Sequence, residues 1–258
     1  MQYQTIRYRN AGGIATIQLN RTDVMNALNP QMRAEITHAV QAGGNDARVV
    51  VITGKGRAFC SGQDLGDRAT AANVDLERTL RDEYAPMLRA ITDCPVPTIS
   101  AVNGAAAGAG ANLALAADVV IASHSAFFMQ AFTRIGLIPD AGGTFFMPRQ
   151  MGMAKAMGAA LFADKISAEQ AERWGMIWEA VPDDQFAATW QARAEHLANG
   201  PTAAYARAKT AIRESFEHNL EDQLAIEAKL QGQCGSTRDF KEGVIAFLDK
   251  RPAEFEGR

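Results

Sequence analysis

The sequence predicts an α/β core followed by a separate run of helices. Three observations predict it. Short β-branched or alternating runs, Ile14–Leu19, Val49–Thr53, Thr98–Val102 and Val119–Ala122, are interleaved with helix-like stretches. Glycine-rich loops follow two of those strands, at Gly54–Leu65 and Asn103–Gly110. From about Phe186 to Phe247 the pattern is almost wholly helical and contains no strand candidate. Strands alternating with helices and then helices alone imply an α/β core with a C-terminal helical layer. The division is placed between residues 1–195, which should carry the ligand site, and residues 196–258.

Each element has its own signal. Tyr3–Tyr8 and Ile14–Leu19 alternate apolar and polar side chains about Asn10–Gly13, which predicts a β-hairpin. Asn29-Pro30 supplies an N-cap and a first-turn proline for a helix with Met32, Ile36, Ala39 and Val40 on one face, expected to stop at Gly43-Gly44. Val49–Thr53 is suited to a buried strand. Asp75–Ile91 is charged and helical, and ends before Pro95-Val-Pro97. Thr98–Val102 is a strand, Ala111–Ala117 a helix and Val119–Ala122 a strand. Ile138–Thr144 is a turn opening onto another helix, and Ser167-Ala-Glu-Gln170 fits a capping box for a helix reaching about Trp174. Breaks are expected at Gly200-Pro201 and Gly232–Thr237.

Composition removes several function classes. A formal charge of −3 over 258 residues argues against nucleic acid as a partner, since phosphate-backbone binding needs a basic surface. Cys60, Cys94 and Cys234 are odd in number and far apart, which suits a reducing compartment better than a disulfide or zinc framework. His38, His124, His196 and His218 show no metal-ligand spacing. The first ten residues lack the order of a signal peptide and no apolar run reaches spanning length, so the expectation is a cytoplasmic protein with no membrane partner. Gly104-x-x-x-Gly108-x-Gly110 does not fit G-x-G-x-x-G, and Gly54-x-Gly56 lacks the lysine-hydroxyl pair of a P-loop, which weakens nucleotide chemistry.

The chemistry concentrates in the two small-residue loops. Each follows a strand and can point a backbone N–H at one oxygen, and a helix beginning at the second adds its positive end. That is how an oxyanion hole is built. Taken singly, each glycine pair is explained as well by tight turns and close packing.

The combined pattern resembles the crotonase superfamily over nearly the whole chain. The matching pieces are Leu19-Asn-Arg21 with Asn26-Ala-Leu28, Phe59–Leu65, Ala101-Val-Asn-Gly104 through Gly110, Ile138–Thr144, Gly175-Met176 and Glu242–Arg251. The resemblance implies a spiral of β-β-α turns with C-terminal helices that pack trimers, which can pair into hexamers. It implies an acyl-CoA substrate with coenzyme A as part of it and no metal or redox cofactor. By position it assigns the oxyanion-hole amides to Gln63 and Ala109. It lines the ligand path with Arg21, Met25, Ala58, Ser61, Asp64, Leu65, Gly108, Asn112 and Phe132. It assigns Phe247 and Lys250 to a CoA contact, usually that of a neighbouring subunit. Arg68 is a further candidate for a CoA phosphate.

The departures from the family pattern carry the functional expectation. The resemblance implies that hydratases carry glutamates at the positions of Asn112 and Phe132, so this site lacks the pair that activates water and delivers a proton. Asp140 instead stands in the turn that faces the acyl end. One carboxylate suffices for a 1,3-proton shift if the enolate is stabilised between the two steps. Phe127, Phe128, Phe132, Phe145 and Phe146 surround Asp140 in sequence; those that line the pocket would raise its basicity and suit a ring-derived acyl group. The expectation is an acyl-CoA isomerase, with linear enoyl-CoA isomerases as its alternative. A dehalogenase would need a histidine that Asp75–Ile91 lacks, and a silent scaffold would not need the oxyanion loops. Asp118 is read as structural, and Cys60 as a small packed residue.

Overall fold

A computed structural model describes residues 2–66 and 75–258. The hairpin forms from β1 (Ile6–Ala11) and β2 (Ile14–Leu19), paired antiparallel from Ile6–Leu19 to Ala11–Ile14. The first strand therefore starts and ends three residues later than its alternation suggests. Its turn is the pair Gly12-Gly13, both at positive φ (61° and 76°), the backbone that a two-residue hairpin loop requires.

Three β-β-α turns follow. β3 (Val49–Gly54) leads to β4 (Ala58–Cys60), then to α2 (Leu76–Thr79), a π turn (Leu80–Tyr84) and α3 (Ala85–Thr92). β5 (Thr98–Val102) leads to β6 (Ala105–Ala107) and α4 (Ala109–Leu115). β7 (Val119–Ser123) leads to β8 (Phe127–Met129), a 3-10 turn (Ala131–Ile135) and α5 (Gly143–Phe162). With β10 (Glu179–Val181), the first strands make a six-stranded sheet in the order β1-β2-β3-β5-β7-β10, parallel from β2 onward. With β9 (Ile166–Ser167), the second strands make a four-stranded sheet in the order β4-β6-β8-β9. The expectation of a β-β-α spiral holds. Two strands of the smaller sheet, β4 and β6, lie inside segments expected to be loops, because strands of three residues are too short to show an alternation.

Helix α1 (Pro30–Asp46) is capped as expected, Asn29 Oδ1 accepting from the Met32 N–H at 2.9 Å, but it runs through Gly43-Gly44 instead of stopping there. These glycines are contact sites. A Cβ on Gly43 would lie 2.8 Å from the Ala15 Cβ, and one on Gly44 3.0 Å from Pro95. α4 starts at Ala109, two residues earlier than expected, and the Ser167 hydroxyl caps α6 (Ala168–Arg173) as predicted.

Beyond β10 the chain is helical: α7 (Phe186–Asn199), α8 (Thr202–Glu214), α9 (Leu220–Gly235) and α10 (Arg238–Asp249). The breaks at Gly200-Pro201 and within Gly232–Thr237 both form, the second at Ser236-Thr237 because α9 continues through Gly232 to Gly235; the break at Ser215–Asn219 has no counterpart among the expected ones. α7 straddles residues 195 and 196 and packs whole on the large sheet, its Phe186, Ala194 and Ala198 against Val49, Val51, Ile99 and Ile121. α8 is fastened to the core by Asp118, whose carboxylate accepts from Lys209 Nζ (2.9 Å), Arg213 Nη2 (2.7 Å) and the Thr98 N–H (2.8 Å). No described helix is long and apolar enough to cross a membrane.

Gly43→Ala is expected to lower stability by roughly 1–3 kcal/mol in denaturant titration, because the added methyl meets β2. Gly232→Ala, with open space around it, is expected to raise it by about 0.5–1 kcal/mol through helix propensity. Equal shifts in the two variants would contradict the contact assigned to Gly43.

Candidate active site

Three parallel strands of the smaller sheet end at one edge. β4 pairs with β6, and β6 with β8, so the segments that leave them, Ser61–Leu65, Gly108–Ala109 and Gln130–Asp140, emerge side by side. Ligands in parallel sheets gather at this carboxyl edge. The first two segments touch through glycine. A Cβ on Gly62 would lie 2.8 Å from the Ala107 carbonyl oxygen and 3.4 Å from the Ala109 nitrogen, and Gly110 has no room for one against the Cys60 carbonyl.

The direction of the Gln63 amide follows from a hydrogen bond made by its neighbour. The Gly62 carbonyl accepts from the Leu28 N–H at 2.8 Å. In a trans peptide the carbonyl and the next N–H point opposite ways. The Gln63 N–H therefore faces away from Leu28, while the Asp64 N–H returns to the Leu28 carbonyl at 3.1 Å. Ala109 opens α4 after Gly108 (φ 52°, ψ −129°), and no side chain caps that end. Its N–H belongs to the first turn, which has no partner within the helix. Two amides at the abutting ends of two strands, one aided by a helix N-terminus, can share one developing oxyanion.

Asp140 is held beside them by its backbone. Asn112 lies one turn into α4 and is fully buried; its Nδ2 donates to the Asp140 carbonyl at 2.7 Å. The Asn112 side chain is paired with the equally buried Gln130, Gln130 Nε2 donating to Asn112 Oδ1 at 2.8 Å. Asn112 thus ties the turn bearing Asp140 to the helix that starts at Ala109. This corrects the assignment of Asn112 to the ligand path, since its side chain has no surface left to offer. The Asp140 carboxyl itself has no such support. Its Oδ1 is buried with no hydrogen-bond partner among the described residues, and burial pushes its pKa up to about 6. A half-buried carboxylate with raised basicity and a free oxygen is suited to taking and returning protons.

The remaining candidates divide into three groups. Arg21 and Asp64 meet each other, Arg21 Nη1 to Asp64 Oδ2 at 2.7 Å, and the hydrogen bond from Arg21 holds the Asp64 carboxyl below its ordinary range. The Met25 carbonyl accepts from the Ser61 N–H at 3.0 Å, and the Met25 and Leu65 side chains are exposed. Ala58 is buried, with its carbonyl taken by Asn26 Nδ2 at 2.9 Å, so it offers a ligand nothing in this conformation. Phe132 is buried with its ring over Gly108, and Phe146 packs on Gly142; Phe128 is core, while Phe127 and Phe145 lie under Lys165 and Arg149. Phe247 and Lys250 belong elsewhere: Phe247, 83% exposed, lines a groove of about 990 Å³ between α8, α9 and α10 that none of Gln63, Ala109 or Asp140 borders. Arg68 lies outside the described residues.

The residues not anticipated from the sequence hold the loop from behind. Asn26, buried and at positive φ (56°), donates Nδ2 to the carbonyls of Lys55, Ala58 and Phe59. Arg33 and Tyr84 both bond the Gln63 side chain. The left-handed Asn was the one available signal, since Asn tolerates that backbone better than most residues. Cys60 is fully buried and its thiol is pushed up to about 12, which makes it a packing residue.

Residues 9–258 match the sequence model of a family described as enoyl-CoA hydratase/isomerase. Over all 258 residues of both chains the sequence is 62% identical to a Rhodobacter capsulatus protein named "Probable enoyl-CoA hydratase". It is 45% identical to 1,2-epoxyphenylacetyl-CoA isomerase of Escherichia coli K12, over 95% of this chain and 96% of that one. The fold superposes on a crystal structure of an enoyl-CoA hydratase from Geobacillus kaustophilus with a TM-score of 0.93 at 33% identity, covering 100% of both chains.

The raised pKa of Asp140 has a signed consequence for stability. Between about pH 4 and about pH 6 the folded protein binds a proton that the unfolded chain has released, so ionised Asp140 weakens the fold above about pH 6. Asp140→Asn is expected to be the more stable protein at pH 8, by about 1 kcal/mol once solvent screening is allowed for, or about 2–4 °C in melting temperature. The gain should shrink as the pH falls from 6 towards 4. A variant less stable than the parent at pH 8 would contradict a buried, unpartnered carboxylate.

Proposed function

The chain belongs to the enoyl-CoA hydratase/isomerase family, and within it we propose that it is an acyl-CoA isomerase working with one carboxylate, Asp140. The family acts on acyl-CoA thioesters. The observation that carries the proposal is the asymmetry of the site. Asp140 presents a buried oxygen with no partner among the described residues, whereas Asn112 is bonded to Gln130 and the Asp140 carbonyl and Phe132 offers only hydrocarbon.

The mechanism follows from the positions. The thioester oxygen sits against the Gln63 and Ala109 N–H groups. Ionised Asp140 removes a proton from the carbon next to the thioester carbonyl. The electron pair moves onto the oxygen as an enolate, and the two amides bind it more strongly than the neutral carbonyl. Asp140, now neutral, returns the proton two carbons along, and the double bond ends conjugated with the thioester. Nothing is added or lost. The coenzyme A is part of the substrate, and no further cofactor enters the proposal.

For the acyl group we propose a ring-derived thioester of the 1,2-epoxyphenylacetyl type, converted to its oxepin isomer. The support is the 45% identity to an enzyme of that name and the buried Phe132 ring over Gly108, next to Ala109. Both this conversion and an enoyl double-bond shift use one base and one oxyanion hole. A linear enoyl-CoA substrate is the alternative. Phe247 and Lys250 are proposed to reach the ligand of a neighbouring copy in a trimer or a dimer of trimers.

A second reading, enoyl-CoA hydratase, is favoured by the name of the 62% identical relative. It requires a group to activate water, and positions 112 and 132 supply none. The two readings separate in one experiment: deuterium incorporation and product analysis with 3-enoyl-CoA, epoxyphenylacetyl-CoA and crotonyl-CoA. Isomerisation with deuterium exchange and little hydration is expected. Rapid crotonyl-CoA hydration would sink the isomerase proposal, and CoA-ester binding without turnover would favour a binding scaffold.

Asp140→Asn is expected to bind acyl-CoA normally and lose the proton shift by at least about 10²-fold. In the parent, kcat should fall below about pH 6 as Asp140 takes up its proton. Near-parental turnover in the variant would remove Asp140 from the mechanism.

A further inference from the structure

We infer that Arg33, Glu83 and Tyr84 form a positioning unit that holds the Gln63 side chain, and through it the Gln63 amide, in line with the enolate oxygen. The inference rests on the reading of that amide as an oxyanion donor.

An oxyanion donor works only if its direction is fixed before charge develops, within about 0.5 Å and 10–20°. The Leu28 to Gly62 hydrogen bond sets the sense of the Gln63 peptide plane, and the Asp64 N–H to Leu28 bond holds the peptide that follows it. A further anchor comes through the side chain. Gln63 Oε1 accepts from Arg33 Nη1 at 2.9 Å and from the Tyr84 hydroxyl at 2.5 Å. The same guanidinium donates to the Leu28 carbonyl at 2.8 Å, so it bonds both residues of the parallel bridge between Leu28 and Gln63.

The charge on Arg33 is costly to place there. Arg33 is 2% exposed, and a buried guanidinium loses hydration that its ion pair recovers only in part. Glu83 Oε2 answers it from both Nε (3.0 Å) and Nη2 (2.5 Å), and the ring of Tyr84 lies under it at 4.7 Å. An apolar side chain would fill this position without the desolvation cost. What it would not do is bond Gln63, Leu28 and Glu83 at once, which is a gain in geometry.

The helix geometry serves the same end. Glu83 and Tyr84 are consecutive and would diverge by a wide angle on a regular helix, yet both reach Arg33. They close the π turn Leu80–Tyr84, where the helix is locally widened, a form that recurs at functional sites. Tyr84 is buried, which pushes its hydroxyl up and keeps it a neutral donor, and the Asp140 carboxylate is among the charges acting on it.

The test is a double-mutant cycle of Tyr84→Phe and Gln63→Met. Tyr84→Phe removes one oxygen and keeps the ring under Arg33; Gln63→Met removes the acceptor and keeps the backbone amide. Two readouts are needed: kcat and KM for the double-bond shift, and binding of acetoacetyl-CoA, followed through the absorbance of its bound enolate, against butyryl-CoA, which forms none.

Each single variant is expected to lose about tenfold in kcat and in enolate binding, less than the about 10²–10³ lost with a whole oxyanion donor, with KM and butyryl-CoA binding unchanged. The double variant should lose little more than either single one, because both act through one contact. A folded Tyr84→Phe with parental kcat and enolate binding would overturn the inference, as would losses that multiply. Should the parent bind the enolate but turn nothing over, the isomerase reading fails and the binding cycle still decides the positioning role. Should the parent show no preference for the enolate, the oxyanion reading and this inference fall together.

Discussion

The close approach of two backbones where β4 and β6 end is the constraint from which the rest of the site follows. Neither Gly62 nor Gly110 has room for a side chain, because the neighbouring strand's carbonyls occupy the space. This contact sets the spacing of the Gln63 and Ala109 amides at the level of the main chain. Side chains can then vary around a fixed pair of donors. Both sheets contribute to the main apolar cluster, the smaller one through Phe59, Cys60, Ala106, Phe128 and Ile166, and the smaller sheet also aligns three chain segments at one edge.

The polar groups at that edge follow a division of labour. Buried side chains with partners, Asn26, Arg33 and Asn112, the last braced by Gln130, hold backbone in place; the buried oxygen of Asp140 has no partner among the described residues. An unpaired buried polar atom is costly, and native chains tolerate few of them. Its location beside two outward-facing amides makes the cost intelligible as chemistry. The same low-dielectric surroundings that raise the basicity of Asp140 strengthen any bond from those amides to an enolate.

Much of this was legible in the sequence. The strands of the large sheet announce themselves by β-branched runs, and the Asn29-Pro30 and Ser167–Gln170 caps are where their residue types place them. The order of the two small-residue loops and the lone Asp140 were visible too. The smaller sheet was not, because strands of two or three residues are too short to leave a periodicity. Gly43-Gly44 were mistaken for a helix end because a glycine that admits a neighbour looks like a glycine that ends a helix. Asn112 was misassigned for a similar reason: its residue type is compatible with contacting a ligand, and only its full burial against Gln130 shows that it is committed elsewhere. The Arg33–Glu83–Tyr84 cluster spans a sequence separation of about fifty residues, and no local pattern links its members.

The bond from Asn112 to the Asp140 carbonyl also bears on how such sites diverge from one another over time. An amide there is a fastener, and an acid there would be a reagent, so one position cannot serve both roles. Replacing Asn112 by a carboxylate would gain a second proton carrier and in the same step unfasten the turn that carries the first and leave Gln130 facing a charge. A single exchange at position 112 therefore trades the placement of Asp140 for a second acid, unless Gln130 changes with it.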